Sequence, residues 1–69
     1  MYLTLEYEQE EDGRWLAEVP QLPGVLAYGA SASDAIAKAE ALALRAMVER
    51  LENREAKPLE INVSLPDFA

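Results

Sequence analysis

Cysteine and histidine are both missing from this sequence of 69 residues. Without cysteine there is no disulfide and no thiolate metal site, and without histidine a zinc site would depend on carboxylates alone. The two absences also exclude nucleophilic catalysis by a Ser/His/Asp or a Cys/His arrangement. We therefore expect no catalytic residues, no metal and no cofactor, and we interpret the chain as a protein that is not an enzyme.

Basic residues are scarce, with six Lys and Arg against thirteen Asp and Glu and a net charge of −7. Such a surface repels a phosphate backbone, so we expect no direct binding of nucleic acid. A basic protein partner fits the charge better, because complementary fields steer the encounter of two proteins. An acidic surface also keeps a small domain soluble, and composition alone does not choose between these two interpretations.

Long apolar runs are absent as well, and none approaches the ~20 residues that a membrane span needs. The N-terminus "MYLTLEYEQEE" has neither the basic nor the apolar region of a signal peptide. We expect a cytoplasmic protein with no membrane partner, in agreement with the lack of cysteine. The length allows one domain over residues 1–69. A core this small depends on a helix of high intrinsic propensity or on self-association for its stability.

Alternating apolar and polar residues predict a β-hairpin at the start of the chain. Residues 2–8 and 15–19 both alternate in the manner of half-buried strands. Only a loop with an odd number of residues brings their apolar faces to the same side. We therefore predict a three-residue loop with Gly13 in the left-handed region, or a bulge there. This register places Glu6 close to Glu18 on the outer, solvated face.

The stretch "PQLPGVLAYG" predicts a stiff connection between two strands. Pro20 ends the second strand because proline cannot donate to a sheet ladder. Pro23 and Gly24 suit the centre of a type II turn, and residues 25–28 then form a short third strand that Gly29 ends. A Pro-rich recognition motif is the functional alternative, but the stretch is too short for one.

A long helix and a last strand complete the chain. Ser31 is predicted to cap the helix with Asp34 in its first turn, and the helix runs over about residues 32–53. Pro58 prevents its continuation, and residues 59–65 alternate again as a fourth strand. The predicted order is β-β-β-α-β, a small two-layer α+β domain.

The helix has more apolar surface than one sheet needs. Its predicted length of ~33 Å exceeds the ~17–20 Å of the strands, so its C-terminal part should overhang the sheet. We predict a homo-oligomer whose interface includes Met47, Val48 and Leu51. The loop at residues 55–59 or Phe68 could cover the same surface instead.

Acidic side chains are the one candidate for metal chemistry. Glu6, Glu8 and Glu18 share one sheet face, and such carboxylates can hold Mg²⁺. A solvated acidic face is the interpretation that we favour. Trp15 and Tyr7 lie on the apolar face, which favours core packing over the stacking of nucleic-acid bases.

Taken together, these features resemble the HicB antitoxin family. The resemblance runs from about Tyr2 to Leu51: an aromatic first strand, an acidic hairpin tip, an aromatic residue opening the second strand, and a Pro/Gly connection leading to a capped helix. Its signature residues, which we interpret as structural, are Pro20, Leu22, Pro23, Gly24, Gly29 and Ser31.

The resemblance implies a partial RNase H-like fold with sheet order 3-2-1-4 and the fourth strand parallel to the first. Members of the family bind and neutralise HicA, a small RNA-cleaving toxin that tends to be basic. Many also carry a C-terminal DNA-binding module, which we do not expect in this chain. RNase H catalysis is not implied, since fold does not determine function.

The leading hypothesis is a HicB-like protein that neutralises a small basic HicA-like toxin by protein–protein contact. Glu6, Glu8, Leu16 and Glu18 on the outer sheet face are its predicted contact residues. The alternative is a homo-oligomeric regulatory or small-molecule-binding domain with no toxin partner.

Overall fold

A computed structural model describes residues 2–53 and 62–64, with the side chains of residues 2–53. The described residues form five short strands and one long helix, which confirms the α+β class. The elements are β1 (Tyr2–Thr4), β2 (Glu6–Gln9), β3 (Trp15–Glu18), β4 (Leu26–Gly29), α1 (Ala32–Glu52) and β5 (Asn62–Ser64).

The strands form two sheets. β2, β3 and β4 make a three-stranded antiparallel sheet, while β1 pairs with β5 in parallel. The predicted first strand, residues 2–8, is therefore divided at Leu5, and the single sheet of order 3-2-1-4 is not seen as such. Leu5 packs against both halves of the core, so the chain changes sheets at the residue that joins them. Of the predicted fourth strand, only residues 62–64 are described.

The hairpin between β2 and β3 has the predicted loop. The backbone N–H of Gly13 donates to the carbonyl of Glu10 at 3.0 Å, and the N–H of Glu10 donates to the carbonyl of Arg14 at 2.7 Å. These two bonds enclose a loop of three residues in which Gly13 has a φ of 92°. A type I turn followed by a left-handed glycine is a common way to close such a loop. The parity of the apolar residues was therefore sufficient to predict it.

Two consecutive turns make up the Pro/Gly connection. The N–H of Leu22 donates to the carbonyl of Val19, and the N–H of Val25 donates to the carbonyl of Leu22, each at 3.0 Å. Pro23 and Gly24 occupy the centre of the second turn, where the φ of 89° at Gly24 matches the predicted type II geometry. Leu22 is buried, so the connection is anchored in the core by a side chain between its two prolines.

The helix begins where the sequence predicts. The Ser31 hydroxyl accepts a hydrogen bond from the backbone N–H of Asp34 at 3.1 Å, which satisfies one of the free donors of the first turn. Gly29 ends β4 directly beneath this turn. A Cβ at Gly29 would lie 2.5 Å from the backbone nitrogen of Ala35, so only glycine allows the strand and the helix to approach this closely.

Among residues 2–53, the core lies between α1 and the sheets and consists of two clusters. The first combines β1, the Pro/Gly connection and the C-terminal half of the helix: Leu3, Val19, Leu22, Ala43 and Met47. The second lies under the N-terminal half of the helix and is built from smaller side chains: Ala17, Ala35, Ile36 and Ala39.

The predicted overhang of the helix is wrong at Met47. This side chain is 3% exposed and packs with Leu3, Val19 and Leu22 of the same chain. The overhang was predicted from the length of one strand alone. In the structure, β1 and the Pro/Gly connection lie beyond the three-stranded sheet and pack against the C-terminal half of the helix. Val48 remains exposed and Leu51 is half-buried.

Candidate functional site

The three-stranded sheet has one face covered by α1 and one face turned away from it. Successive side chains of a strand point to opposite faces, so the register of the strands determines which residues share the uncovered face. We call this surface the outer face, and its members are Glu6, Glu8, Leu16, Glu18, Leu26 and Tyr28.

Three carboxylates lie together on the outer face. Glu6 and Glu18 are directly opposite each other across β2 and β3, and Glu8 pairs with Leu16 in the next row of that face. All four predicted contact residues line one shallow concavity, together with Tyr7. Within residues 2–53, no ion pair and no side-chain hydrogen bond engages any of the three carboxylates. Within the described residues, their negative charges are thus uncompensated.

An apolar strip lies beside these carboxylates. Leu26 is opposite Glu18 and Tyr28 is opposite Leu16, so both extend the outer face onto β4. Leu26 is 43% exposed and Tyr28 is 41% exposed, while Leu16 is half-buried between them and the carboxylates. Leu26 and Tyr28 were not among the predicted contact residues: the alternation of "LAYG" places them on a common face, but which face it is depends on the register of β4 against β3.

Arg14 marks the end of the outer face at the hairpin tip. Its guanidinium carbon lies 4.4 Å from the centre of the Tyr28 ring, a cation–π distance. Its Nε also donates to the Asp12 carboxylate at 2.8 Å. The pKa of Asp12 is lowered by hydrogen bonds from the backbone N–H and the side chain of Arg14. Arg14 is therefore occupied by Asp12 and Tyr28 and does not neutralise the three glutamates.

The two aromatic residues of the hairpin, Tyr7 and Trp15, differ in burial. Trp15 is half-buried and packs against Ala17, Ile36 and their neighbours in the second core cluster, as predicted. Tyr7 was also expected in the core, but it is exposed at the margin of the sheet. Its ring contacts Trp15 with the ring centres 6.3 Å apart. Tyr7 therefore contacts Trp15 and also borders the concavity.

The outer face combines negative charge with exposed apolar side chains. Among residues 2–53 and the backbone of 62–64, no group of three or more acidic side chains is placed to hold a metal ion. Uncompensated carboxylates beside an aromatic and two leucines fit a partner that is both basic and partly apolar, as protein interfaces often are. No helix in the described part of the chain has the length and apolar character to cross a membrane.

Four of the residues that carry the resemblance have structural roles. Leu22 is in the core, Gly24 adopts a positive φ, and Gly29 and Ser31 set the close start of the helix. Comparison with known proteins adds no relative: no family model, no curated protein and no solved structure gives a significant match to this chain.

Proposed function

We propose that this chain is a HicB-like antitoxin that binds and neutralises a small basic RNA-cleaving toxin of the HicA type by protein–protein contact. One observation carries the proposal: Glu6, Glu8 and Glu18 are exposed, share one sheet face and have no partner within the described residues. The function is exercised in the cytoplasm and involves no catalysis by this chain.

Charge supports a basic partner in two ways. The net charge of −7 attracts a cationic protein over a distance of about 8–10 Å, the Debye length at physiological salt. The three carboxylates then direct that partner to the outer face, because they present three negative charges on one surface. Complementary charges on two partners increase the rate of encounter and the specificity more than the affinity.

The apolar strip supplies the contacts that charge alone does not. Interface affinity comes chiefly from a few buried aromatic and aliphatic side chains, around which polar residues form a rim. Tyr28, Leu26 and Leu16 are adjacent on the outer face and are at least partly exposed. In our proposal they form the centre of the interface, and the three glutamates form part of its rim.

The fold that accompanies this function is the partial RNase H-like fold with sheet order 3-2-1-4. The observed strand pairs support it: β4 with β3, β3 with β2, and β1 with β5 in parallel. Each of these pairs is a neighbouring pair in the proposed order once β1 and β2 are taken as two parts of the first strand. The break at Leu5 is then a local interruption of that strand.

The experiment is a tagged pull-down from the lysate of the native host at low and at moderate salt, followed by mass spectrometry and an RNA-cleavage assay. We expect a small basic protein that is released as salt rises, that cleaves RNA, and that stops cleaving RNA when this chain is added in equimolar amount. Recovery of the chain alone, or of a partner without RNA-cleaving activity, would contradict the antitoxin function and favour the homo-oligomeric alternative.

A matched pair of variants tests the surface. Glu6→Gln with Glu18→Gln removes two charges from the outer face, and Glu49→Gln with Glu52→Gln removes two charges from the helix. Since an exposed ion pair contributes about 0.2–1 kcal/mol, the first variant should weaken toxin binding by about 2- to 30-fold. The second should change it little. Equal effects of both variants would show that net charge matters and the outer face does not.

A further inference from the structure

A second apolar stripe follows α1, away from the side that packs on the described core residues. Its residues recur at alternating intervals of four and three positions: Ala37, Ala41, Leu44, Val48 and Leu51. We call this set the helix stripe. Leu44 is 47% exposed and Val48 is 52% exposed, while Leu51 is half-buried at the C-terminal end.

The helix stripe is not the margin of the buried face. The buried residues of the helix are Ala35, Ile36, Ala39, Ala43 and Met47. At 100° per residue, the centre of the helix stripe lies roughly 130° around the helix from the centre of this buried set. A helix that covers one sheet needs one apolar face, and α1 has two.

The spacing of the helix stripe is that of a coiled-coil seam. Apolar residues at intervals of four and three occupy the a and d positions of a heptad, which face a partner helix. In this frame Ala41 and Val48 are a positions, and Ala37, Leu44 and Leu51 are d positions. The seam extends over 15 residues.

The charges beside the seam are complementary to those of a second copy. Glu40 occupies a g position and Arg45 the e position five residues later, and these two positions face each other between parallel helices. Neither side chain has an ion pair within the described residues. An antiparallel arrangement would instead bring Arg45 close to Arg45 of the second copy. The charges therefore favour a parallel, two-fold symmetric pair.

We propose that two copies of this chain associate through their helix stripes, with parallel α1 helices and Glu40 of each copy paired with Arg45 of the other. The proposal goes beyond the antitoxin function and does not depend on it. It retains Val48 and Leu51 of the predicted oligomer interface and replaces the buried Met47 with Leu44. The outer face is on the far side of the sheet from α1, so it stays accessible in the dimer.

The size of the contact determines its expected strength. Fifteen residues of helix are about 22 Å long and about 10 Å wide, which is small beside the ~800 Å² per partner of a standard interface. Each copy also has a net charge of −7, and this repulsion opposes association. We therefore expect a dissociation constant on the order of micromolar and a dimer that forms as concentration rises.

Sedimentation velocity of the full chain from about 1 µM to about 1 mM tests the proposal. We expect a shift from monomer to dimer across this range. Val48→Glu should weaken the dimer at least about tenfold, because it places a charge at an a position of the seam. Leu42→Glu is the matched control, since Leu42 is also exposed on α1 but lies outside the helix stripe. Circular dichroism confirms that both variants are folded.

Charge exchange tests the orientation of the two helices. Glu40→Arg and Arg45→Glu should each weaken the dimer, and the double variant should restore it, because the pair is re-formed with its signs reversed. A wild-type chain that stays monomeric throughout would overturn the proposal, as would equal effects of Val48→Glu and Leu42→Glu. A double variant as weak as the single variants would overturn the parallel arrangement.

Discussion

Replacing Glu6 by lysine should stabilise the fold while weakening the binding of a basic partner. Glu6 and Glu18 are directly opposite on β2 and β3. The bond from the N–H of Glu10 to the carbonyl of Arg14 shows that this pair belongs to the hydrogen-bonded rows of the ladder, whose Cα atoms are about 5.5 Å apart. Like charges in such a pair are destabilising, and opposite charges are stabilising.

The magnitude follows from the separation of the two charges. At about 7 Å in water the repulsion is about 0.6 kcal/mol, and reversing one sign changes the interaction by about twice that amount. Side-chain entropy and screening reduce the gain, so about 1 kcal/mol is expected for this exposed pair. In a domain of this size, that gain corresponds to a rise in melting temperature of about 4–8 °C.

Thermal unfolding followed by circular dichroism measures this effect, with Glu11→Lys as the control. Glu11 lies in the loop between β2 and β3 and has no residue opposite it, so its replacement makes the same change in net charge without altering a cross-strand pair. The gain at Glu6 should also shrink in about 1 M salt, where the Debye length is about 3 Å. Equal melting temperatures for Glu6→Lys and Glu11→Lys would refute the reasoning, and so would a gain that salt leaves unchanged.

Three further predictions concern the start of the helix. Gly29→Ala should cost about 1–3 kcal/mol in the free energy of unfolding, measured with urea, because the new Cβ would meet the backbone nitrogen of Ala35 at 2.5 Å. Ser31→Ala should cost about 1 kcal/mol in the same assay through loss of the helix cap. Hydrogen bonds from Lys38 and from the backbone lower the pKa of Asp34 below its ordinary value of 3.8. The stability that Asp34 contributes is therefore complete above that value and is lost as pH falls through the lowered pKa, so urea unfolding of the wild type and of Asp34→Asn should converge in acid.

Local pattern was sufficient to predict most of the elements. The parity of the hairpin, the turn at Pro23 and Gly24, and the cap at Ser31 each depend on residues close together in the sequence, and the structure has all three. The division of the first strand was not predictable in this way. Leu5 leaves the ladder where the chain passes between two sheets, and its neighbours there are distant in sequence.

The same contrast between local and distant contacts explains which residues of the candidate site could be predicted. Glu6, Glu8, Leu16 and Glu18 could be grouped from sequence because they belong to one hairpin, whose register follows from its own loop. Tyr28 could not be added, since its place beside Leu16 depends on the register of β4, which the Pro/Gly connection sets. For short strands that follow irregular connections, the sequence alone therefore does not predict which face of the sheet a residue belongs to.

The placement of the two surfaces determines how they would act together. The helix covers one face of the three-stranded sheet, and the outer face is the opposite one. Two copies joined through their helix stripes would therefore direct their outer faces away from each other, at opposite ends of the dimer. Each could bind one basic partner without contact between the two partners. Binding to the outer face should then leave the dimer intact, and Val48→Glu should leave the affinity of a single outer face unchanged while halving the number of partners per complex.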